Sequence, residues 1–191
     1  MVSLVSYHQF YHSEEVADMV EVNWCIATDS NSGVFSDSIH NAYGRTIEDE
    51  LADQENGVHS LYLGFSGEAL IGAGFIRWLG PRPEEALARY PNTPEIFRVG
   101  IDPEFQSRGV GTGLLRLLEA EAGSRGYSSV GLGVSHANVR ARKLYLRLGY
   151  VDTDIRDYVD EYQYTNEAGQ VMTAQDRCCF MLKREMLCST R

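Results

Sequence analysis

The sequence predicts one α+β domain over residues 1–191, built on a mostly antiparallel central sheet. Three observations carry this prediction. A chain of 191 residues with 43% hydrophobic residues is long enough to bury its own core without a metal or disulfide. β-rich runs bounded by turn residues occur first as a hairpin and again as two arms near the C-terminal end. Between them, two strands each lead through a loop into a segment whose apolar residues recur at helical spacing. No internal repeat, low-complexity tract or linker divides the chain.

Each element has a local reason. Ser13 followed by Glu14 and Glu15 reads as an N-cap with acids in the first turn, and Val16, Met19, Val20 and Trp24 then recur at helical spacing, which predicts a helix over 13–27. The polar stretch 31–56 is expected to hold a second, looser helix among loops. Val58 to Phe65 and Ala69 to Leu79 are β-rich and joined by Ser66-Gly67-Glu68, which predicts an antiparallel hairpin. Gly80-Pro81-Arg82-Pro83 ends the second strand, and 84–90 reads as a short helical insert before Pro91 and Pro94. Glu95 to Ile101 is a strand stopped by Asp102-Pro103. After a glycine-rich loop, Leu114, Leu117, Leu118 and Ala122 predict a helix that ends at Gly123 and Gly126. Ser129 to Val134 is another strand. Asn138 caps a helix with the apolar face Ala141, Leu144, Tyr145 and Leu148, stopped by Gly149. The arms 150–164 and 170–183 turn through 165–169.

Charge and composition exclude several roles. A net charge of −10 repels phosphate backbones, and no basic cluster beyond short Arg-containing helix faces offsets it, so no nucleic-acid partner is expected. The longest apolar run, Ala69 to Ile76, contains two glycines and falls far short of the roughly 20 residues that span a bilayer, so no membrane partner is expected either. The segment Met1 to His8 has no basic stretch before an apolar one, which predicts a cytoplasmic location. Cys25, Cys178, Cys179 and Cys188 lack the spacing of a zinc site or a disulfide framework and are expected to be buried or inert. The partner should be cationic or small. Nothing in the sequence sets the oligomeric state, and a homodimer stays open.

The loop Gln106-Ser107-Arg108-Gly109-Val110-Gly111-Thr112-Gly113 is neither a Walker A loop, since Gly113 is followed by Leu114, nor a dinucleotide fingerprint, since Leu114 stands at the third glycine position. It keeps what those motifs share. Glycines let backbone N–H groups approach an anion, and the positive end of the following helix favours negative charge there. A turn needed only for chain reversal would read the same way in isolation.

The loop is flanked by Glu95-Ile96-Phe97-Arg98-Val99-Gly100-Ile101-Asp102-Pro103 upstream and by Asn138 to Tyr150 downstream. Together the three resemble the acetyl-CoA-binding core of the GNAT N-acetyltransferase superfamily. That family's strand with a V-x-P-like end leads to Q/R-x-x-G-x-G/A, met here by Gln106, Gly109 and Gly111. Its later N-x-x-A-x-x-x-Y and G-F are met by Asn138, Ala141, Tyr145 and Gly149, with Tyr150 in place of the usual Phe. The resemblance is strong over 95–150 and weak elsewhere. It implies a GNAT-like α+β fold, with the sheet splayed at the acetyl-CoA site and helices on both faces.

It also implies roles. Backbone amides of Gln106, Ser107, Arg108, Gly109, Val110, Gly111 and Thr112 would hold the CoA pyrophosphate, Val99, Gly100 and Ile101 would pair with the pantetheine arm as a strand does, and Asn138 would touch the cofactor as well as cap its helix. Tyr145 would protonate the leaving thiolate, although its helical spacing alone already accounts for burial. Glu95 matches the place where several members carry a glutamate base. A free carboxylate, with pKa about 4.3, is a weak base toward an ammonium, so it would act through a water or in a desolvated setting; a solvated, structural Glu95 is the other reading. A backbone N–H near Val99 would meet the oxyanion. No metal is needed, and His8, His12, His40 and His59 show no metal-ligand spacing. His136 reads first as a loop residue and second as a base.

The expected activity is acetyl transfer from acetyl-CoA, as cosubstrate, to a primary amine by direct attack in a ternary complex. Asp152, Asp154, Asp157, Asp160 and Glu161 with Tyr158, Tyr162 and Tyr164 suggest a small cationic acceptor resembling an aminoglycoside or polyamine, or else a solvated acidic edge. A protein N-terminus or lysine is the alternative acceptor. A catalytically silent CoA-binding sensor is the alternative class, disfavoured by the presence of both Glu95 and Tyr145.

Overall fold

The computed structural model describes residues 7–10, 20–33, 45–165 and 170–184. Strand β1 (Tyr7–Phe10) pairs antiparallel with β2 (Glu21–Ile26), so the helix expected over 13–27 is a strand in its described half; residues 13–19 lie outside the described residues. Val20 and Trp24, four apart, fit a helix, but Val22 between them is buried too while Glu21 and Asn23 are exposed. Period two wins over period 3.6. The looser helix expected in 31–56 is α1 (Ile47–Glu55), started by a capping box in which Thr46 and Asp49 satisfy each other's backbone N–H groups.

The other expected elements form where the sequence placed them. The hairpin is β3 (His59–Ser66) and β4 (Ala69–Arg77), turning at Gly67 with φ +60°. The insert is α2 (Glu84–Arg89). Then come β5 (Glu95–Ile101), α3 (Val110–Ser124), β6 (Ser129–Ser135) and α4 (Val139–Arg147), followed by β7 (Val151–Asp152), β8 (Tyr158–Thr165) and β9 (Val171–Arg184). The sheet order is β1-β2-β3-β4-β5-β6-β9-β7, with β8 also on β9. Every pairing is antiparallel except β5 with β6, whose ladder is confined to Glu95↔Gly131 and Ile96↔Leu132. Beyond that the two strands part. Among the described residues no helix is long and apolar enough to cross a membrane.

Alternation along the strands sorts the core into two faces. Ile76, Ile96, Val130 and Leu132 pack with Leu114, Leu117 and Leu118 of α3 and with Leu144 and Tyr145 of α4. On the opposite face Leu61, Leu63, Phe75 and Phe97 pack with Ile47 and Leu51 of α1, and Phe180 packs with Ala86 of α2. The helices therefore cover both faces.

Close approaches fix the layers. A Cβ on Gly64 would stand 2.3 Å from the Trp24 ring, and one on Gly131 would stand 2.2 Å from Phe180 Cζ. The Phe180 ring thus lies directly on the β6 backbone. Gly131→Ala should cost about 1–3 kcal/mol, because the ring must leave its rotamer or the strand must shift. A urea midpoint equal to wild type would show that the contact relaxes freely.

Candidate functional site

Where β5 and β6 separate, an open cleft of about 740 Å³ enters from the α3 and α4 side. Val99 and Ile101 of β5, Gln106, Ser107, Gly109, Gly111 and Thr112 of the loop and α3, and Asn138 and Tyr145 of the α4 region all line it. These nine expected residues, scattered over 47 positions of sequence from Val99 to Tyr145, are brought together. Gly100, Arg108, Val110 and Glu95 are not among its lining residues, and Val110 points into the core at 1% exposure.

The loop is held open by backbone conformation. Ser107 (φ +64°) and Gly109 (φ +83°) are both left-handed, and Gly109 caps α3 without a side-chain acceptor. The first helical bond runs from Gly113 N–H to Gly109 O, so the N–H groups of Val110, Gly111 and Thr112 precede it. An ideal Cβ on Gly111 would meet Ile101 only at ordinary contact distance, 3.5 Å. The loop is tethered on both sides: Gln106 Nε2 donates to Ile101 O (2.9 Å), while Arg140 donates from Nη1 to Gln106 Oε1 (2.7 Å) and from Nη2 to Ser107 Oγ (2.8 Å). Asn138 caps α4 by accepting from the Ala141 N–H at 3.0 Å.

Tyr145 stands in a drier setting. Its ring packs 5.8 Å from that of the fully buried Tyr150, whose N–H donates to Tyr145 O at 3.0 Å. Burial pushes the Tyr145 phenol up to about 12, so it keeps its proton at any ordinary pH. Tyr150, the departure from the family pattern, is a packing partner for this residue, and burial followed by the Glu119 carboxylate holds its own phenol well above the usual tyrosine value.

Glu95 lies on the other face of β5. It has no exposed surface, and its Oε2 accepts the Arg82 backbone N–H (2.6 Å) and Arg82 Nε (3.3 Å). Burial raises its pKa, and Arg82 opposes that rise only in part. Glu95 is thus desolvated rather than solvated. Around it stand Arg82, stacked 5.0 Å over Phe97 and 3.7 Å from Asp160, and Tyr158, whose hydroxyl occupies the space a Cβ on Gly133 would need.

The acetyltransferase (GNAT) family model matches residues 18–150, a stretch that includes both walls of the cleft. The chain belongs to the acetyltransferase (GNAT) family. It is 39% identical over 61 residues to the [ribosomal protein bS18]-alanine N-acetyltransferase of Salmonella typhimurium, and 36% identical over 61 residues to that of Escherichia coli K12. Each match takes in 32% of this chain and 41% of the relative, so it spans well under half of those proteins. The fold resembles an N-acetyltransferase from Staphylococcus aureus Mu50 (TM-score 0.60, 18% identity, 85% of this chain and 98% of that one). It also resembles a GNAT family acetyltransferase from Elizabethkingia anophelis with acetyl-CoA bound (TM-score 0.54, 20% identity, 85% and 97%).

In this GNAT chain the sequence reading missed two features near the site. Arg140, Lys143 and Arg147 all line the cleft. Their spacing of three and four along α4 was the available signal. Arg82 on Glu95 had none, because the pair joins a loop to a strand across 13 positions. The acids of the C-terminal arms proved to be engaged: Asp152 pairs with Arg142, Asp154 with Arg89, Asp157 with Arg177, Asp160 with Arg82, and Glu161 accepts from Gln175. His136 lies half-exposed, 3.8 Å from Asp157. Cys25, Cys178 and Cys179 are free thiols, and burial pushes Cys178 up to about 12; Cys188 lies outside the described residues. Glu50, Asp53 and His59 come within 4.8 Å of one another, but Glu50 already carries the Arg45 and Arg98 guanidiniums, which repel a cation.

The burial of Glu95 has a pH signature. A carboxyl whose folded pKa is raised favours folding below its unfolded value, about 4.3, and loses that contribution as pH rises through the folded value. Glu95→Gln removes the titration. The melting temperature of Glu95→Gln minus that of wild type should therefore increase between about pH 4 and about pH 8. A difference that stays level or falls would mean that Arg82 fully compensates the burial.

Proposed function

We propose that this chain transfers the acetyl group of acetyl-CoA to a primary amine by direct attack in a ternary complex. The observation that carries this reading is one cleft with an anion-ready loop and a buried phenol on its walls, and between them a strand edge, Val99 to Ile101, with no ladder to β6. The amides of the 106–112 loop and the α3 N-terminus fit a pyrophosphate, and Arg140, Lys143 and Arg147 add positive charge for its phosphates. The edge of Val99, Gly100 and Ile101, which has no ladder to β6 and on which Gln106 donates to Ile101 O, suits the amides of a pantetheine arm. Bound acetyl-CoA would supply an activated thioester. Tyr145 holds the proton that a departing thiolate, with pKa about 8.5 by analogy with cysteine, needs.

Glu95 faces the opposite side of the sheet, beside Phe97, Tyr158 and Asp160, and its desolvated carboxylate is suited to take a proton from an acceptor there directly or through a water. For the acceptor, a polypeptide N-terminus has better support than a small polycation. The acids that suggested a polycation carry partners within the chain, and the relatives matched over 61 residues are named for an alanine of a ribosomal protein. An α-amine, with pKa about 7.7–8.0, is also far less protonated at neutral pH than a lysine at about 10.4, which suits a weak carboxylate base. A short peptide with a free N-terminus should be acetylated more efficiently than a polyamine or an aminoglycoside. Competition among the three, read by mass spectrometry, checks this, and a polycation that wins and loses its advantage in salt would restore the small-amine reading.

Tyr145→Phe should lower kcat by about 10²-fold while acetyl-CoA affinity stays near wild type. Because the phenol is held up at about 12, the ratio of mutant to wild-type kcat should stay constant across the assay range. Thiol release under saturating substrates measures the ratio and calorimetry the affinity. Undiminished turnover would return Tyr145 to packing, and a wild type that binds acetyl-CoA yet acetylates no amine would leave a CoA-binding sensor.

A further inference from the structure

Between Phe97 and Gly100, β5 carries one residue more than its partner: the register runs Ala73↔Gly100 and then Phe75↔Phe97. This is a β-bulge, and it changes which way the strand faces. In a regular strand Phe97, Val99 and Ile101 would share a face. Here Phe97 and Arg98 both turn to the α1 side, where Phe97 joins Phe75 and Leu61 and the Arg98 guanidinium lies 4.5 Å over Phe75, whereas Val99 and Ile101 turn to the α3 and α4 side and line the cleft.

The extra residue is held in a costly conformation. Arg98 has φ +50°, in the left-handed region, which residues with a Cβ rarely adopt and which persists only where the surroundings enforce it. In that conformation its side chain makes a buried ion pair: Arg98 Nη1 donates to Glu50 Oε1 at 2.6 Å, with the Arg98 side chain 5% and that of Glu50 3% exposed. Glu50 is fixed in turn. Arg45 Nε donates to its Oε1 at 3.2 Å, and His59 Nε2 stands 3.3 Å from its Oε2. The helix that bears it is docked by Gln54, which donates to Ala27 O (2.9 Å) and accepts from Leu61 N–H (2.8 Å).

We infer that Glu50, though it lines no part of the cleft, is a positioning residue for acetyl transfer, holding Arg98 and through it the bulge that aims Val99 to Ile101 at the donor cleft. The inference rests on the acetyl-transfer reading above. Glu50→Gln keeps the shape of the side chain and removes its charge. It should lower kcat per folded molecule by about tenfold or more, since misplacement on the order of 1 Å can cost 10²-fold, and kcat should fall by a larger factor than the acetyl-CoA KM rises.

A second pair of variants separates positioning from mere stability. Arg98→Gly and Arg98→Ala delete the same ion pair, but only glycine is at ease at positive φ. Arg98→Gly should keep several-fold more kcat per folded molecule than Arg98→Ala, and this pair decides the matter even if Glu50→Gln does not fold. Equal kcat in the two Arg98 variants, or wild-type kcat in a folded Glu50→Gln, overturns the inference while leaving the function intact. A wild-type protein that releases no CoA thiol with any amine overturns both.

Discussion

One residue too many in one strand is the constraint on which the rest of this structure depends. Without the bulge at Arg98, Glu95, Phe97, Val99 and Ile101 would alternate as one set and all turn to the same side of the sheet. With it, the first half of the strand serves the α1 and α2 face and the second half serves the cleft beneath α3 and α4. The parting of β5 from β6 after Ile96 then leaves the second half accessible. The glycines that receive the neighbouring bulk follow from this placement: a Cβ on Gly72 would stand 2.7 Å from Ile101 Cδ1, and one on Gly74 would stand 2.9 Å from Leu114 Cδ2.

The two faces are stabilised in different ways. The α3 face is mostly apolar, with Leu114, Leu115 and Leu118 wholly buried beside a single buried charge, Glu119, among the described residues of α3, so its order comes chiefly from packing and removal of apolar surface from water. The α1 face buries charges as well. Glu50, Arg98, His59 and Glu95 all lie at or below 5% exposure. Burying them costs several kcal/mol per ion before pairing, and the return comes only from close, multiple contacts, which is what Arg45, Arg98 and His59 give Glu50 and what Arg82 gives Glu95. Desolvation still dominates at Glu95 and at His59, whose pKa is lowered by burial despite the nearby Glu50 carboxylate. Such a face is expensive to keep in place, and geometry rather than net stability is what it returns.

This difference explains what was legible in the sequence. The donor side is written in short stretches whose meaning is local: Gly109 at φ +83° starting α3, Asn138 capping α4, Tyr145 on the apolar stripe of that helix. A reader needs only spacing and backbone chemistry to place them. The α1 and α2 face is written in pairs that meet only after folding, Glu50 with Arg98 across 48 positions and Glu95 with Arg82 across 13. The arginine partners of Asp154, Asp152 and Asp157 were illegible for the same reason, because Arg89, Arg142 and Arg177 arrive from α2, α4 and β9. Trp24 was misplaced on a helix because a four-residue repeat of bulky side chains fits both periods, and only the burial of Val22 separates them. The bulge left no mark at all, since Arg98 carries none of the glycine signature of a left-handed position.

The setting of Tyr145 shows how burial alone holds a proton in place. A phenol in water would already be a poor acid at neutral pH, and removing water from around it, with the Tyr150 ring against it, makes its anion harder still to form. That is a disadvantage for a base and an advantage for a group that must arrive protonated. Desolvation would raise the basicity of a departing thiolate as well, so in the proposed reaction the shared environment lifts both partners of the proton transfer together. Replacing the usual Phe by Tyr150 preserves that environment. Its ring supplies buried surface, and its hydroxyl, enclosed without a hydrogen-bond partner among the described residues, lies near the Glu119 carboxylate on α3, which Lys183 holds at 2.6 Å.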